Sequence, residues 1–593
     1  MSGEHNKEKQ KIKEKQTNNK IKLSGFLKPY MLFVVLAPLS MALEVFMDLQ
    51  QPALMATVVD DGILSGNMNV LTLTCLKMLG AAILGLIGGF GCTVFAVTAS
   101  QNYAADMRSA LFKKVESFSF NEIDKFSTGS LVTRLTNDVT QLEHLVSMGL
   151  RMFVRSPLLC IGGIIMALSI SVKYGIVLTV ILPIMVVIII IVLGKVTPIF
   201  ESMQKRIDKL NAILQENLSG VRVIKAFVRA DFEKERFNAA NEDLMNTMLF
   251  AMKILAVVQP IMMIIMNAVV IAVVYIGGYE VQAREMRVGD VMAAISYMTQ
   301  ILMTFMMMSM IFMMIPRARA SAERVREVMG TQPSIVGGAV GGSEGQGSVQ
   351  FENVSFAYAG SSGDPVLKNI SFKINAGENI GLLGSTGSGK STLVHLIPRF
   401  YDATEGRVLV DGVDIKDYDL EALRSKIGFV LQESVLFSGT IAENIRWGNP
   451  EAGDEDVLRA SGAAQADEYI SNMSEGYETV IGQRGLTLSG GQKQRACIAR
   501  ALMKQPKILI LDDSTSALDL GTESRLNTEI NANYSNRTRI TIAQRISSVM
   551  NADKIYVIDD GAIAAQGSHD ELLAGSGIYR DIYESQMGQG ALA

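Results

Sequence analysis

The stretch that decides the fold of this chain reads Gly384-Ser385-Thr386-Gly387-Ser388-Gly389-Lys390-Ser391-Thr392. Its glycines allow successive backbone N–H groups to curl around phosphate oxygens, because glycine adopts conformations that a Cβ atom disfavours. Lys390 adds a positive charge for the phosphates, and the Ser391 hydroxyl is a suitable ligand for Mg²⁺. The pattern predicts a site for a nucleoside triphosphate and, by itself, nothing narrower.

The segments around this loop predict an α/β domain with a parallel sheet. The buried strand Ile380–Leu383 leads into the loop, and a second apolar run, Ile508–Leu511, ends in Asp512 and Asp513. Short β-branched runs alternate with helical patterns from Val349 onward, as in a parallel-sheet domain. Carboxylates at the end of such a strand, beside a phosphate loop, are suited to organise Mg²⁺ and to polarise a water molecule. The alternative interpretation, a solvated entry into a loop, accounts less well for this combination.

The first half of the chain has the composition of a membrane domain. Hydrophobic residues make up 49% of the 593 residues, and the mean hydropathy is +0.26. Each of six apolar stretches can supply the roughly 20 residues that a spanning helix needs; they lie at 29–58, 71–99, 144–171, 175–197, 249–276 and 289–315. A buried core of a soluble protein is a poor explanation, because Ile181–Val192 is apolar on every face.

Basic residues predict the orientation of these spans. An even number of spans places both termini on one side, together with the charged segments 100–143 and 198–248. That side is cytoplasmic by the positive-inside rule. Arg284 and Arg287 in the last outer loop run against the rule and are balanced by nearby acidic residues. We expect a multi-pass protein of the cytoplasmic (inner or plasma) membrane, with both termini and the nucleotide-binding domain in the cytoplasm.

Four parts follow from the changes in composition along the chain. They are a disordered Lys-rich tail without a cleavable signal peptide (1–24), a six-helix transmembrane domain with cytoplasmic loops (25–316), a connector (317–348) and a nucleotide-binding domain (349–593). The expected fold class is a polytopic α-helical membrane domain fused to an α/β phosphate-loop NTPase domain. The net charge of −4 argues against nucleic acid as a partner. The four cysteines have no metal-ligand or redox spacing, so we expect them to be packing residues.

From about residue 25 to 585 the chain resembles the ATP-binding cassette (ABC) exporters, and specifically a half-transporter. The family's motifs occur in its usual order, namely Tyr358, the phosphate loop, Gln432, the signature Leu488-Ser489-Gly490-Gly491-Gln492, and Asp512 followed by Ser516-Ala517-Leu518-Asp519. Segments 127–138 and 216–227 resemble its two intracellular loops. In that family these loops end in short coupling helices that contact the cassettes, here at about 119–127 and 216–227.

The resemblance implies a role for each motif. Tyr358 would stack on the adenine of ATP, and residues 384–392 with Lys390 would hold its phosphates. Mg²⁺ and its waters would be organised by Ser391, Gln432 and Asp512. The signature residues Ser489, Gly490, Gly491 and Gln492 would serve a nucleotide bound by a second cassette, so the resemblance implies a dimer with two composite sites.

Two positions depart from the family's pattern. Asp513 stands where the family has a glutamate as general base, and Gln544 stands where it has a histidine. Aspartate is shorter by about 1.5 Å, one C–C bond, and glutamine cannot carry the charge that histidine carries near pH 7. A positioned base contributes roughly 10²–10⁴-fold to a rate. We therefore expect this chain's own site to bind ATP and hydrolyse it slowly, while its signature completes a partner's active site.

By resemblance to bacterial heterodimeric multidrug exporters, we expect ATP-driven export of amphiphilic drugs or other small molecules by alternating access. The partner would be a second half-transporter chain with a complete glutamate, and the bilayer would surround both. Three alternatives remain open, namely a lipid or glycolipid flippase, a homodimeric exporter with two weak sites, and a regulatory subunit that uses ATP as a switch.

Two features of the spans bear on the substrate. Glu44 and Asp48 lie one helical turn apart in the first span, so they share a face. They form a negative patch for cationic amphiphiles, or they pair with polar partners in the protein or lie near the outer, water-filled end of the span. Methionines in the last two spans either form an adaptable binding surface or reflect the chain's general use of this residue; they are Met262, Met263, Met266, Met303, Met306, Met307, Met308, Met310, Met313 and Met314.

Overall fold

The computed structural model describes residues 22–342, 345–361, 363–482, 485 and 487–587, without the side chains of Leu193 and of residues 308–313. The predicted tail lies outside the described residues as far as residue 21, as do the side chains of Met308, Met310 and Met313. The chain divides into two compact units. One runs up to Glu116 and continues at Gly129–Thr331, and the other comprises Ser117–Thr128 and the chain from Gln332 onward.

Long helices form the first unit. The helices before residue 331 are α1 (Met31–Thr57), α2 (Met68–Glu116), α3 (Phe120–Phe126), α4 (Thr128–Thr133), α5 (Val139–Ile170), α6 (Val172–Ser219), α7 (Val221–Ala226), α8 (Ala230–Gln282) and α9 (Val288–Gly330). A 3₁₀ segment precedes α1, and π-helical turns follow it and precede α5; these are Leu23–Tyr30, Val58–Leu64 and Arg134–Asp138.

Six helical segments in the described part are long and apolar enough to cross a membrane, which confirms the predicted number of spans. Only Ser171 separates α5 from α6, and its Oγ accepts a hydrogen bond from the backbone N–H of Lys173 at 3.4 Å. The last helix continues to Gly330, beyond the predicted start of the connector at residue 317. The physical reason is that Arg317–Met329 is rich in Arg, Ala and Glu, which are strong helix formers.

Close packing of α1 on α2 depends on a glycine. A Cβ atom at Gly88 would lie 2.8 Å from the Ser40 carbonyl oxygen and 2.9 Å from the Glu44 nitrogen, so a larger residue would push the helices apart. Outward-facing apolar side chains such as Phe90 and Ile190 are strongly exposed. An apolar surface of this extent is unsuited to water and suits the hydrocarbon of a bilayer.

A buried carboxylate, Asp138, connects the turn before α5 to α9. Asp138 is 2% exposed and accepts hydrogen bonds from Ser321 Oγ at 2.8 Å and from Arg324 Nε at 2.7 Å. Both partners lie on α9, one helical turn apart, so they share a face. Both oxygens of the carboxylate therefore accept hydrogen bonds from the same helix.

Strands and short helices form the second unit. The strands are β1 (Val349–Phe356), β2 (Leu367–Ile374), β3 (Asn379–Leu383), β4 (Glu405–Val410), β5 (Val413–Asp414), β6 (Ile427–Val430), β7 (Gly439–Thr440), β8 (Val480–Ile481), β9 (Ile508–Asp512), β10 (Thr538–Ile542), β11 (Lys554–Asp559) and β12 (Ala562–Gly567). The helices are α10 (Lys390–Leu396), α11 (Leu420–Ser425), α12 (Ile441–Arg446), α13 (Asp454–Ala463), α14 (Asp467–Ser471), α15 (Gly490–Met503), α16 (Leu520–Asn533), α17 (His569–Gly575) and α18 (Gly577–Met587).

The main sheet has the strand order β12-β11-β3-β10-β9-β6, and all of its neighbouring pairs are parallel except β11–β12. This confirms the predicted α/β domain. A second, four-stranded sheet has the order β2-β1-β4-β5 and is antiparallel. Because β3, β10 and β9 are adjacent and parallel, the loops that follow them leave the same edge of the sheet.

The segment Ser117–Thr128 belongs to the second unit although it is inserted between helices of the first. In α3, the Phe120 ring lies 4.6 Å from that of Phe400, and Tyr401 donates a hydrogen bond to Asp124 Oδ2 at 2.8 Å. The segment predicted to be the first coupling loop is thus packed on the rest of the second unit.

We expect Asp138→Ala to destabilise the first unit by about 1–3 kcal/mol, because it removes a buried carboxylate that accepts hydrogen bonds from Ser321 and Arg324. The measurement is the apparent melting temperature of the full chain in detergent. The matched control is Arg319→Ala on the same helix, because the Arg319–Glu323 pair is largely exposed and contributes little. Equal shifts in the two variants would contradict a special role for Asp138.

Candidate ATP-binding site

One cavity collects the predicted nucleotide residues of the second unit. Its volume is about 320 Å³, which is within the usual range for a small-molecule site. The predicted residues that line it are Tyr358, Thr386, Gly387, Gly389, Lys390, Ser391, Thr392, Gln432, Asp512, Asp513 and Gln544. They come from the loops after β3, β6, β9 and β10 and from the end of β1, so the fold brings together residues that are almost 190 positions apart in the sequence.

The backbone of the phosphate loop requires glycine at Gly389. Its φ is +98°, and a Cβ atom there would lie 2.9 Å from Leu367 Cδ2 and 3.1 Å from the Val366 carbonyl oxygen. Any side chain would therefore be strained and would clash with the neighbouring segment. The φ values of Gly384 and Gly387 are also positive, at +150° and +86°.

Lys390 is held by the loop that it serves. Its Nζ donates hydrogen bonds to the carbonyl oxygens of Gly384 at 2.9 Å and Ser385 at 2.7 Å. Burial lowers the pKa of Lys390, and the negative charges of Asp513 and Asp512 oppose this shift. A buried cation beside a backbone rich in N–H donors is a suitable environment for a phosphate group.

Hard oxygen ligands for a cation meet at the end of β9. Ser391 Oγ donates a hydrogen bond to Asp512 Oδ1 at 2.9 Å, so the hydroxyl and the carboxylate face the same space. Burial raises the pKa of Asp512 to about 6, and the bond from Ser391 works against the rise. A carboxylate and a hydroxyl are oxygen donors of the kind that Mg²⁺ prefers. The residues therefore fit the cation, with Asp512, Ser391 and Gln432 as those that would hold it or its waters.

Asp513 is constrained at both the backbone and the side chain. Its φ is +47°, in the left-handed region that Asp tolerates better than longer side chains. Gln544 Nε2 donates to Asp513 Oδ2 at 3.0 Å. Burial raises the pKa of Asp513, while Lys390 and hydrogen bonds from Gln544 and Gln432 oppose the rise. These hydrogen bonds therefore offset part of the rise in pKa that burial causes.

Tyr358 lies at the rim of the cavity. Its hydroxyl is 2.9 Å from Thr392 Oγ1, and its ring meets Phe356 edge-on with centroids 4.9 Å apart. These contacts fix the ring beside the phosphate loop, where it can stack on a base.

The signature residues lie apart from this cavity. Ser489 caps α15, because its Oγ accepts a hydrogen bond from Gln492 N at 3.3 Å and its own N–H donates to Gln492 Oε1 at 2.8 Å. Gly491 packs against the next loop, where a Cβ atom would lie 3.0 Å from the Ala517 carbonyl oxygen. None of Ser489, Gly490, Gly491 and Gln492 is among the residues that line the chain's own cavity.

Three side chains near the site have no counterpart in the sequence-based prediction. Gln494 accepts a hydrogen bond from Ala517 N at 3.0 Å, and His395 Nε2 lies 3.8 Å from Asp512 Oδ2. The amide of Gln586 bonds the backbone at Gln544. A glutamine or a histidine on a helix carries no motif by itself, so only the fold could reveal these contacts.

In the first unit, Glu44 and Asp48 share one cationic partner. Arg155 on α5 contacts Glu44 through Nη1 and donates from Nη2 to Asp48 Oδ2 at 2.9 Å. Two carboxylates facing one guanidinium leave a net charge of −1. The arrangement matches the second interpretation, pairing with a polar partner, and leaves the predicted contact with a cationic substrate as a hypothesis.

Comparison with known proteins shows which family the sequence matches. A model of the ABC transporter transmembrane region matches residues 34–305, and a model described as ABC transporter matches residues 367–516. The uncharacterized ABC transporter ATP-binding protein YfiB of Bacillus subtilis is 41% identical over 568 residues, which cover 96% of this chain and 99% of YfiB. Rv1273c of Mycobacterium tuberculosis is 36% identical over 571 residues (95% and 97%), and YknU of Bacillus subtilis is 39% identical over 482 residues (81% and 82%). The chain therefore belongs to the ABC transporter family, as an exporter-type half-transporter with its membrane domain fused to an ATP-binding domain.

Proposed function

We propose that this chain is one half of a heterodimeric ABC exporter of amphiphilic small molecules, and that it carries the impaired ATP site of the pair. The observation that carries the proposal is the hydrogen bond of 3.0 Å from Gln544 Nε2 to Asp513 Oδ2. It joins the two positions at which the chain departs from its family. The carboxylate of the shorter residue, Asp513, accepts a hydrogen bond from the amide of Gln544, which stands where the family has a histidine.

We attribute the impairment to two physical causes that act together. The Asp513 side chain is about 1.5 Å shorter than glutamate, which leaves it farther from an attacking water. The side-chain amide of Gln544 donates a hydrogen bond to Asp513 Oδ2, and so engages one of the two oxygens that could accept a proton from an attacking water. ATP binding needs none of these groups, so binding without rapid hydrolysis is the expected behaviour.

The intact signature supports a partner with a working site. Ser489 and Gln492 form a reciprocal cap that presents the start of α15, and the signature residues do not line this chain's own cavity. A second cassette that supplies a glutamate and a histidine would complete the competent site. ATP binding would close the two cassettes, the segments at 119–127 and 216–227 would transmit closure to the membrane domains, and hydrolysis at the competent site would reset them.

Exposed methionines of the membrane unit support a proposal for the class of substrate. Met263, Met303 and Met307 are about half exposed, and flexible thioether side chains adapt to ligands of different shape. This favours amphiphilic small molecules as a class. A lipid or glycolipid is the second candidate, because the same apolar surfaces would accept acyl chains.

The first prediction concerns the division of labour between the two sites. In the heterodimer purified from cells, Asp513→Ala should leave steady-state ATP turnover within about threefold, while Ser489→Arg should lower it at least tenfold, because the signature serves the competent site. The measurement is phosphate release. If the chain purified alone turns over ATP rapidly and Asp513→Ala abolishes that turnover, the chain is a homodimeric exporter.

The second prediction is a gain of function. The double change Asp513→Glu with Gln544→His should raise the ATP turnover of the chain purified alone at least tenfold, because a positioned base contributes roughly 10²–10⁴-fold. Asp513→Glu alone should gain less, because Gln544 would still occupy the position of the family's histidine. Asp559→Glu, an exposed site on β11, is the matched control. No gain in the double variant would mean that geometry at Asp513 is not what limits the site.

The third prediction separates transport from regulation. Inside-out vesicles that contain the heterodimer should accumulate a fluorescent cationic dye when ATP is added, and Lys390→Ala in this chain should reduce ATP binding to its own site and slow accumulation. Movement of a fluorescent lipid in place of the dye would favour a flippase. A complex that hydrolyses ATP and moves neither probe would identify a regulatory subunit.

A further inference from the structure

The C-terminal helix α18 packs against the segment that carries Gln544. Tyr579 and Tyr583 of α18 are buried in one cluster with Ile546 and Val549. The aromatic side chains supply a large apolar contact. The helix is thus fixed to the chain immediately after β10.

At the end of α18, one side chain makes two hydrogen bonds to the backbone of that segment. Gln586 Oε1 accepts from Ile546 N at 2.8 Å, and Gln586 Nε2 donates to the Gln544 carbonyl oxygen at 2.7 Å. A primary amide offers one acceptor and one donor side by side, as a neighbouring peptide group does. The side chain therefore clamps the backbone on both sides of Arg545.

The two hydrogen bonds of Gln586 lie just beyond the end of β10, where the backbone is no longer paired in the sheet. β10 ends at Ile542, and Ala543 makes the last contact with β3 through a bond of 3.2 Å to the Leu382 carbonyl oxygen. Gln544 follows directly, and its own amide reaches Asp513. A continuous series of contacts therefore runs from α18 through Gln586 and Gln544 to Asp513.

We propose that Gln586 is a positioning residue for the nucleotide site, acting through Gln544. By fixing residues 544–546, it keeps the Gln544 amide against Asp513 at the end of the cavity where the terminal phosphate of ATP would lie. It thereby sets the preference of the chain's own site for ATP over ADP. The role rests on the nucleotide site alone and does not depend on which chain is the partner.

The test uses two near-isosteric variants of the full chain in detergent. Gln586→Met keeps the length of the side chain and removes both hydrogen bonds. Gln586→Glu keeps an acceptor for Ile546 N–H and loses the donor to Gln544. The matched control is Gln566→Met, an exposed glutamine on β12 of the same unit.

The first readout is amide hydrogen exchange of peptides that cover residues 543–549. Exchange should accelerate about fivefold in Gln586→Met, because the Ile546 N–H loses its acceptor. It should stay near the original rate in Gln586→Glu and in the control. An unchanged rate in Gln586→Met would overturn the proposal.

The second readout is the affinity of the chain's own site for ATP and for ADP. Both Gln586 variants should weaken ATP binding roughly fivefold, the worth of about one hydrogen bond, and leave ADP binding within twofold. In a Gln544→Ala background, Gln586→Met should have no further effect, because the two residues act in series. Equal weakening of ATP and ADP, or additive effects of the two changes, would show that Gln586 only stabilises the domain. Neither result would alter the case for a heterodimer.

Discussion

Parallel pairing of β3, β10 and β9 is the constraint on which the nucleotide site depends. Two backbone hydrogen bonds just beyond the strands, Ala543 N to Leu382 O at 3.2 Å and Asp513 N to Ile542 O at 3.1 Å, extend the ladder into the loops. They hold the phosphate loop, the paired carboxylates and the segment of Gln544 side by side. Each loop leaves the same edge of the sheet, so groups suited to bind phosphate, to organise Mg²⁺ and to face an attacking water converge although they lie far apart in the sequence.

One cation and two carboxylates meet at this edge of the sheet. Lys390 is buried among loop carbonyls, and two adjacent carboxylates lie beside it. Burial raises the pKa of both carboxyl groups, and hydrogen bonds from Ser391, Gln544 and Gln432 counteract the rise. The outcome is a site built to hold a charged nucleotide in which the candidate base is stabilised in place. An amide at residue 544 makes that stabilisation permanent, because glutamine has no second protonation state.

The membrane unit also contains charged side chains in a largely apolar setting. Glu44 and Asp48 on α1 are costly in an apolar setting, and Arg155 on α5 neutralises one of their two charges. Gly88 allows α2 to approach the same face of α1. Elsewhere in this unit, Asp138 accepts hydrogen bonds from Ser321 and Arg324 of one helix. Polar groups in this unit are thus paired between helices, and the apolar exterior is left for lipid.

The sequence by itself determined the six apolar helices, the α/β class of the second unit and most of the residues that line the candidate ATP-binding cavity. It could do so because hydrophobic length and glycine-rich loops are local properties with direct physical meaning. Only the tertiary structure decided which groups touch. Arg155 between Glu44 and Asp48, the bond from Gln544 to Asp513 and the clamp by Gln586 join positions from 31 to 111 residues apart. No local pattern encodes such contacts, because a glutamine or an arginine is compatible with many partners until packing selects one.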